Sequence, residues 1–472
     1  MDKKITLPPM SIRVRAITDV LIAGGGLAGV AAALAAARTG ARTILVERNS
    51  FLGGVATAGM CCSIFNCLYD INRQLVVKGI PLEIVDLLAD AGGPGSSWHR
   101  HKGHIIYDIE LGKLALAELL ANAGVTVLLE SPVVQVVKTG ARLTGVVVKS
   151  RNNLEAIMAG VIVDATGDSE VAFLADAPLN TLPWTAQSRS SYVFRIGNVD
   201  VDRFVQYFRD HPDQYPADMD VEWTLDEALA QYDENGTFLF PHGGGMQLDL
   251  VKQGVASGAF PRSVGSHDTI DAMQMHALRE QGVVHIITGH VQVNDLDSQR
   301  ISQAILDGKK MAFQVTDYFK HHMPGFAKAF VTATADNLGI RASRWIKGDF
   351  TFTADMKNGK IPIDDSIGSG VVEEHYKKNK ADRAWSVQAF TDRTYNIPYR
   401  CLLPKKVTHL IMGAGRSISA ENPYLLRVMV TTMVVGQGAG TAAALCAREQ
   451  ISPEQLPIDM LQQELLRAGV LI

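Results

Sequence analysis

Three glycines spaced Gly24-x-Gly26-x-x-Gly29 are the sharpest chemical signal in the chain, with Leu27 and Ala28 between the last two. In this spacing the first glycine makes a tight turn and the second lets the backbone approach a pyrophosphate. The third lets a helix and a strand pack closely, and the N-terminus of that helix offers unpaired N–H groups to phosphate. Glu47 lies 18 residues beyond Gly29. A carboxylate there can accept hydrogen bonds from ribose hydroxyls.

Other reactive types cluster more loosely. Cys61, Cys62 and Cys67 are three of the five cysteines, and the last two are spaced C-x4-C. A redox dithiol and apolar packing both remain open. Disulfide reductases place their first cysteine two residues after the second glycine of this turn, where Ala56 stands here. His99, His101 and His104 form H-x-H-x-x-H with Asp108 nearby, a spacing that matches no common metal site. No metal is expected, and His104 is taken as an acid–base or substrate contact, with a solvated basic loop as the alternative. His242 sits among glycines, as a residue beside a ligand or as an ordinary loop histidine. Arg344, Arg400 and Arg427, with Arg341, can clamp a carboxylate or other oxyanion. Ion pairing with Asp349 or a phosphate is the alternative. Tyr399 is a candidate general acid, or a packed aromatic.

The elements that must position these groups are legible in outline. Residues 18–23 read as a buried strand, the helix after the glycine turn ends near Gly40, and residues 41–47 read as a second buried strand. This is a strand–helix–strand unit of the expected size. Residues 111–123 have helical spacing, and four β-rich stretches follow between 125 and 168. From about 180 to 400 apolar runs shorten and aromatics, Asp, His and Pro increase, which predicts an inserted domain. From 405 a strand, a glycine turn and a long helix return, and residues 456–470 read as a closing amphipathic helix. The expected division is 1–175 and 401–472 for the dinucleotide domain and 176–400 for the insertion. No second strand–glycine turn–helix appears in mid-chain, so a dedicated nicotinamide domain is not expected.

Composition sets the outer bounds. The chain has 472 residues, 47% hydrophobic and 20% charged, with a net charge of -4. That supports a large core and argues against disorder and a nucleic-acid partner. Scattered cysteines fit a reducing compartment, and the first sixteen residues lack a signal-peptide pattern, so a cytoplasmic protein is expected. The apolar runs Val20–Ala37 and Val428–Ala447 read as buried helices of an α/β domain rather than membrane spans.

Two features favour FAD over NAD. Arg48 through Gly53 and Gly54 place a second glycine turn directly after the acid, and Ala165, Thr166 and Gly167 end a later strand where the chain passes the dinucleotide. The pattern of Glu47-Arg48, then Leu52-Gly53-Gly54, then Asp164 to Asp168 resembles the FAD-binding fold of the glutathione-reductase-like superfamily. Residues 5–48, 337–353, 395–419 and 427–445 resemble the FAD-dependent oxidoreductase family, which includes relatives of the flavin subunit of heterodisulfide reductase. The resemblance covers about two thirds of the chain and is specific for the fold and for FAD, not for substrate. It implies that Glu47 and Arg48 hold the adenosine end, that Gly53, Gly54 and Thr57 run along the flavin, and that Val134 gives backbone contacts to adenine. It also implies that Gly415-Arg416 stands where many relatives place Gly-Asp, and that the helix beginning near Arg427 points its positive end at the flavin. The fold expected is α/β, a Rossmann-like FAD-binding domain of the glutathione-reductase type with an inserted mixed α/β substrate domain. The function expected is hydride transfer between a small polar or anionic substrate and the flavin, with an undetermined electron donor or acceptor and scope for homo-oligomers. The rivals are an electron-transfer subunit with an iron–sulfur partner and a protein whose FAD is not catalytic.

Overall fold

The strand β1 (Arg13–Ala23) lies between two parallel neighbours, β2 (Thr43–Val46) and the strand Leu154–Asp164. With both edges paired, and layers on both faces, its last residues Val20–Ala23 are fully buried. That is why they read as a continuous apolar run rather than an alternating one. The computed structural model describes the chain except residues 1–7, 65–67, 71, 73, 102–104, 182–189, 217–223, 242–243, 271–272, 292, 294–295, 372–374, 379–384 and 389–393.

The first sheet has seven strands. In order they are Thr126–Leu128, β2, β1, Leu154–Asp164, Arg142–Lys149 and Val133–Thr139, and the last three form an antiparallel meander. Leu410–Met412 adds in parallel to the C-terminal end of Leu154–Asp164. The chain therefore re-enters this sheet after a long excursion.

The helix α1 (Leu27–Arg38) is buried along most of its length because a second helix, Met429–Glu449, lies directly on it. A Cβ at Gly436 would sit 2.2 Å from the Ala28 carbonyl oxygen, and one at Gly440 would sit 2.0 Å from that of Ala32. Small residues thus let two backbones touch. The uncharged run at 428–447 is this core helix; its most apolar window is 94% buried within the fold.

The second sheet is antiparallel: Thr237–Phe240, Gln274–Leu278, Val283–Val291, Ser190–Gly197 and Phe330–Thr334. One face carries Phe194, Phe238, Phe240 and Ile286, with Phe204 and Phe208 of the helix Val201–Asp210 in edge-on and stacked contact with Phe238. Helix Ser298–His322, capped by Asp297, contributes Phe319 against Phe260 and Phe326. The region expected to be mixed α/β combines an antiparallel sheet with the helices that back it. The whole class is α/β with a mostly parallel first sheet, and a contiguous core joins both sheets.

Candidate active site

The glycine turn after β1 is built so that only glycine fits. Gly24 has φ +97° and a Cβ there would meet the Ala165 carbonyl oxygen at 2.8 Å. At Gly29 a Cβ would fall 1.8 Å from the Gly24 carbonyl oxygen. At Gly26 the nearest atom would be Gly54 Cα at 3.9 Å, so this position faces open space and a second glycine. Gly53 and Gly54 have φ +107° and +58°, and the Gly53 N–H donates to the Gly25 carbonyl at 2.8 Å. Two glycine turns thus lie side by side, from 24–26 and 53–54.

α1 opens at Gly26 without a side-chain cap and without an acidic residue in its first turn. An anion there would complete its N-terminal donors. Glu47, at the end of β2, is buried, and it accepts from the Gly25 N–H at 2.6 Å and from Asn49 N and Nδ2 at 2.8 and 2.7 Å. A carboxylate has about four acceptor sites, so capacity remains for ribose hydroxyls. Arg48 beside it is exposed. Val134 is 42% exposed and sits where the register between Val133–Thr139 and Arg142–Lys149 shifts.

The strand Leu154–Asp164 delivers Ala165, Thr166 and Gly167 to the same place. Ala165 N donates to Ala23 O at 2.8 Å. Asp164 is fully buried and accepts from Thr166 N, Thr166 Oγ1 and Ala172 N at 3.1, 2.6 and 3.0 Å. Burial pushes its pKa up, and those hydrogen bonds oppose the rise. Gly415, at the turn after Leu410–Met412, approaches the Leu426 carbonyl so closely that a Cβ would lie 1.9 Å away, and its N–H donates to Thr432 Oγ1 at 2.7 Å.

Arg416 pairs with Asp168 at 2.9 Å and donates to the Ile340 carbonyl at 3.0 Å. Asp168 also accepts from Ser343 Oγ at 2.6 Å. Arg344 pairs with Glu170 at 2.6 Å, donates to the Asp168 carbonyl, and stacks over Phe173 at 4.0 Å. Its ion-pair partner is therefore Glu170; Asp349, named from the sequence, pairs with Lys405 instead. Arg400 pairs with Asp365 and Asp364 at 2.9 and 2.7 Å and lies over Phe350. Tyr399 is buried and donates to the Pro453 carbonyl at 3.0 Å, and burial pushes its pKa well up. Arg400 and Tyr399 thus belong to a cluster around Asp365 and Pro453. His99 lies on a helical turn, Trp98–His101, absent from the sequence reading, and bridges Tyr69 and Asp86 at 2.9 and 2.8 Å. His104, His242 and Cys67 lie outside the described residues.

The loop after Gly54 is fixed from several sides. Thr57 Oγ1 donates to Leu52 O at 2.6 Å, and Tyr107 OH donates to Ala56 O at 3.0 Å and to Cys61 O at 3.2 Å. Asp336 and Asn337 both donate their N–H groups to Ala58 O. Cys61 follows, with its thiol pKa raised by burial while the Ser63 N–H, Arg341 and Arg427 pull it down. Arg341 Nη2 is 3.1 Å from His290 Nε2. Cys62 is fully buried, its pKa raised well above the usual thiol value by burial and by Cys61. Its sulfur lies 3.7 Å from His276 Nδ1, on the second sheet.

His276 and His285 stand opposite each other on adjacent strands, both fully buried. The pKa of each is lowered to about 3, by burial at His276 and by burial together with the Arg195 cation at His285. Both are neutral at physiological pH. The sequence reading missed this pair. The signal was two histidines in apolar strands, Gln274–Leu278 and Val283–Val291, where a histidine must find a partner or a purpose.

The site is therefore a glycine-lined groove with an uncapped helix N-terminus, a buried ribose-type acid and a second glycine turn. The FAD dependent oxidoreductase family matches residues 19–465. The chain belongs to that family. FAD is its cofactor, and the groove fits it: Gly26 faces no side chain, and the start of α1 lacks any acid that would repel phosphate. Among curated proteins, the chain is similar to digeranylgeranylglycerophospholipid reductases of Thermoplasma acidophilum and Picrophilus torridus. Identity is 28% to each, over 195 and 196 residues, 39% of this chain and 48% of those proteins. The chain thus spans about half the length of the curated relatives it matches. Among solved structures it resembles a geranylgeranyl bacteriochlorophyll reductase-like protein of Thermoplasma acidophilum. There the TM-score is 0.46 and the identity 14%, covering 96% of this chain and 84% of that one. It also resembles the myxobacterial chondrochloren halogenase CndH, with TM-score 0.42 and 15% identity over 96% and 79% of the two chains.

Proposed function

We propose that this family member transfers a hydride between a carbon of a small polar substrate and N5 of its flavin, with the substrate between the glycine groove and the antiparallel sheet. The observation that carries this reading is the meeting of the two at Cys62 and His276, 3.7 Å apart, just downstream of the Gly53–Gly54 turn. FAD supplies the hydride chemistry when bound. The chain's own residues bind, orient and keep water out. Gly24, Gly26 and the start of α1 hold the phosphates, Glu47 the ribose, and Gly54 and Thr57 the edge of the flavin. Arg341 and Arg427, both close enough to Cys61 to influence its thiol, give an anionic end of the substrate a place to pair. The helix Met429–Glu449, which starts two residues after Arg427, adds the positive end of its dipole. Similarity to the two archaeal reductases favours substrate reduction as the direction.

The test is anaerobic. Holo-protein is mixed with fractionated metabolite pools, and the visible band of oxidised flavin is followed; in parallel, chemically reduced protein is followed for reoxidation. A substrate class that bleaches or restores the band in a saturable way supports the reading. A protein with a full complement of flavin that responds only to an added iron–sulfur electron carrier would overturn it in favour of electron transfer.

A further inference from the structure

Opposite Cys62 the second sheet presents a row of polar side chains, several of whose nitrogens find no partner among the described residues. Alternation along Gln274–Leu278 puts Gln274 and His276 on one face, and register puts His285 directly across from His276 and Arg195 across from His285 on the next strand. Gln274, His276 and His285 are at most 1% exposed. Among the described residues, Gln274 Nε2, His276 Nε2 and both ring nitrogens of His285 have no hydrogen-bond partner. The His276 backbone lies beside the His285 ring and raises its pKa slightly against the effect of burial. Native interiors pair nearly every buried polar atom. Four orphaned nitrogens on one face, where that face meets the flavin-side loop, mark a place that a ligand completes.

We propose that Gln274, His276 and His285 bind an uncharged oxygen function of the substrate, a carbonyl or hydroxyl. The inference rests on the proposed function, since it assigns one wall of the same site. A neutral imidazole offers one donor and one acceptor, and the Gln274 amide adds donors. That set complements a hydroxyl or a carbonyl. A carboxylate pressed against it would be a buried charge facing groups that carry none. Arg195, the cation that ends the row, is half-buried and already donates its Nε to Thr332 Oγ1 at 3.1 Å. An anionic portion of the substrate belongs instead at Arg341 and Arg427, beside Cys61.

The test uses holo-protein labelled with 15N-histidine and three probes: cyclohexanone, cyclohexanol and cyclohexanecarboxylate. Ring nitrogen signals of His276 and His285 are assigned with His276→Phe and His285→Phe. The two neutral probes are expected to shift both signals saturably and the carboxylate to leave them unmoved. Affinity for cyclohexanone is expected to fall at least tenfold in Gln274→Leu, which keeps the test open if a histidine variant does not fold. Equal shifts with the carboxylate, or no shift with any probe, would overturn the proposal. The flavin spectrum of the same sample separates the two readings. Absent flavin defeats the proposed function, whereas full flavin with silent histidines defeats this inference alone.

Discussion

At the scale of single residues, the site separates groups that can titrate from groups held in one state. Both thiols downstream of the Gly53–Gly54 turn, Cys61 and Cys62, are pushed toward the protonated form, Cys62 most strongly. A thiol so held is a poor nucleophile, so Cys61→Ser is expected to leave substrate turnover within about twofold, measured by single-turnover flavin reduction. Loss of turnover would return the dithiol to consideration. The buried histidines give a second expectation. The unfolded chain takes up a proton at each below about pH 6.5, while the folded chain does so only near 3. Stability is therefore unaffected by them above that window and falls as pH drops through it, by up to about 1.4 kcal/mol per pH unit for each. Thermal unfolding between pH 7 and pH 4.5 checks this, and the slope should shrink in His276→Phe/His285→Phe. Much of this chemistry was hidden in the sequence. Arg344 reads as an oxyanion clamp or a partner of Asp349 until Glu170, 174 residues away in the chain, is found beside it. His276 likewise meets Cys62, 214 residues away in the chain, only in the folded structure.

At the scale of elements, backbone contact is the organising device. Glycine turns were legible because only glycine tolerates the conformation at Gly24 and the clearance at Gly29. The long-range glycines were not: Gly436 and Gly440 lie in a run whose helical character was clear but whose partner, α1, was not. Gly440→Val is expected to destabilise by at least about 1–3 kcal/mol through overpacking, read as a drop in unfolding midpoint with loss of bound flavin, since α1 would be pushed off the groove. The Asp168 network is the second device. It ties the turn at Gly415–Arg416 to the loop after Leu154–Asp164 and to Ser343. Asp168→Ala and Arg416→Ala should each destabilise, and the double variant by less than their sum. Strict additivity in thermal melts would show that the pair is not coupled. Strand boundaries were less legible than strand existence: β1 begins at Arg13, five residues before its apolar run, because pairing with Leu154–Asp164 carries it past the buried core.

At the scale of the molecule, two sheets with different pairing rules share one core. The parallel sheet was legible from its apolar runs and its strand–helix–strand spacing. The antiparallel one was not, because its strands alternate with helices and with segments of mixed polarity, and its polar row on one face looks like solvent-facing pattern until Cys62 is seen against it. On the proposed reading, the molecule sets a flavin groove against a sheet wall, where Cys62 meets His276. The most direct measurement of that arrangement is the flavin stoichiometry of the purified chain beside Gly26→Val, where a side chain would enter the groove above Gly54. One tightly bound FAD per wild-type chain is expected, with none retained by a Gly26→Val variant that unfolds at the temperature of the FAD-free wild-type chain. A wild-type chain that takes up no FAD when it is supplied, or a variant that binds it equally well, would contradict the site.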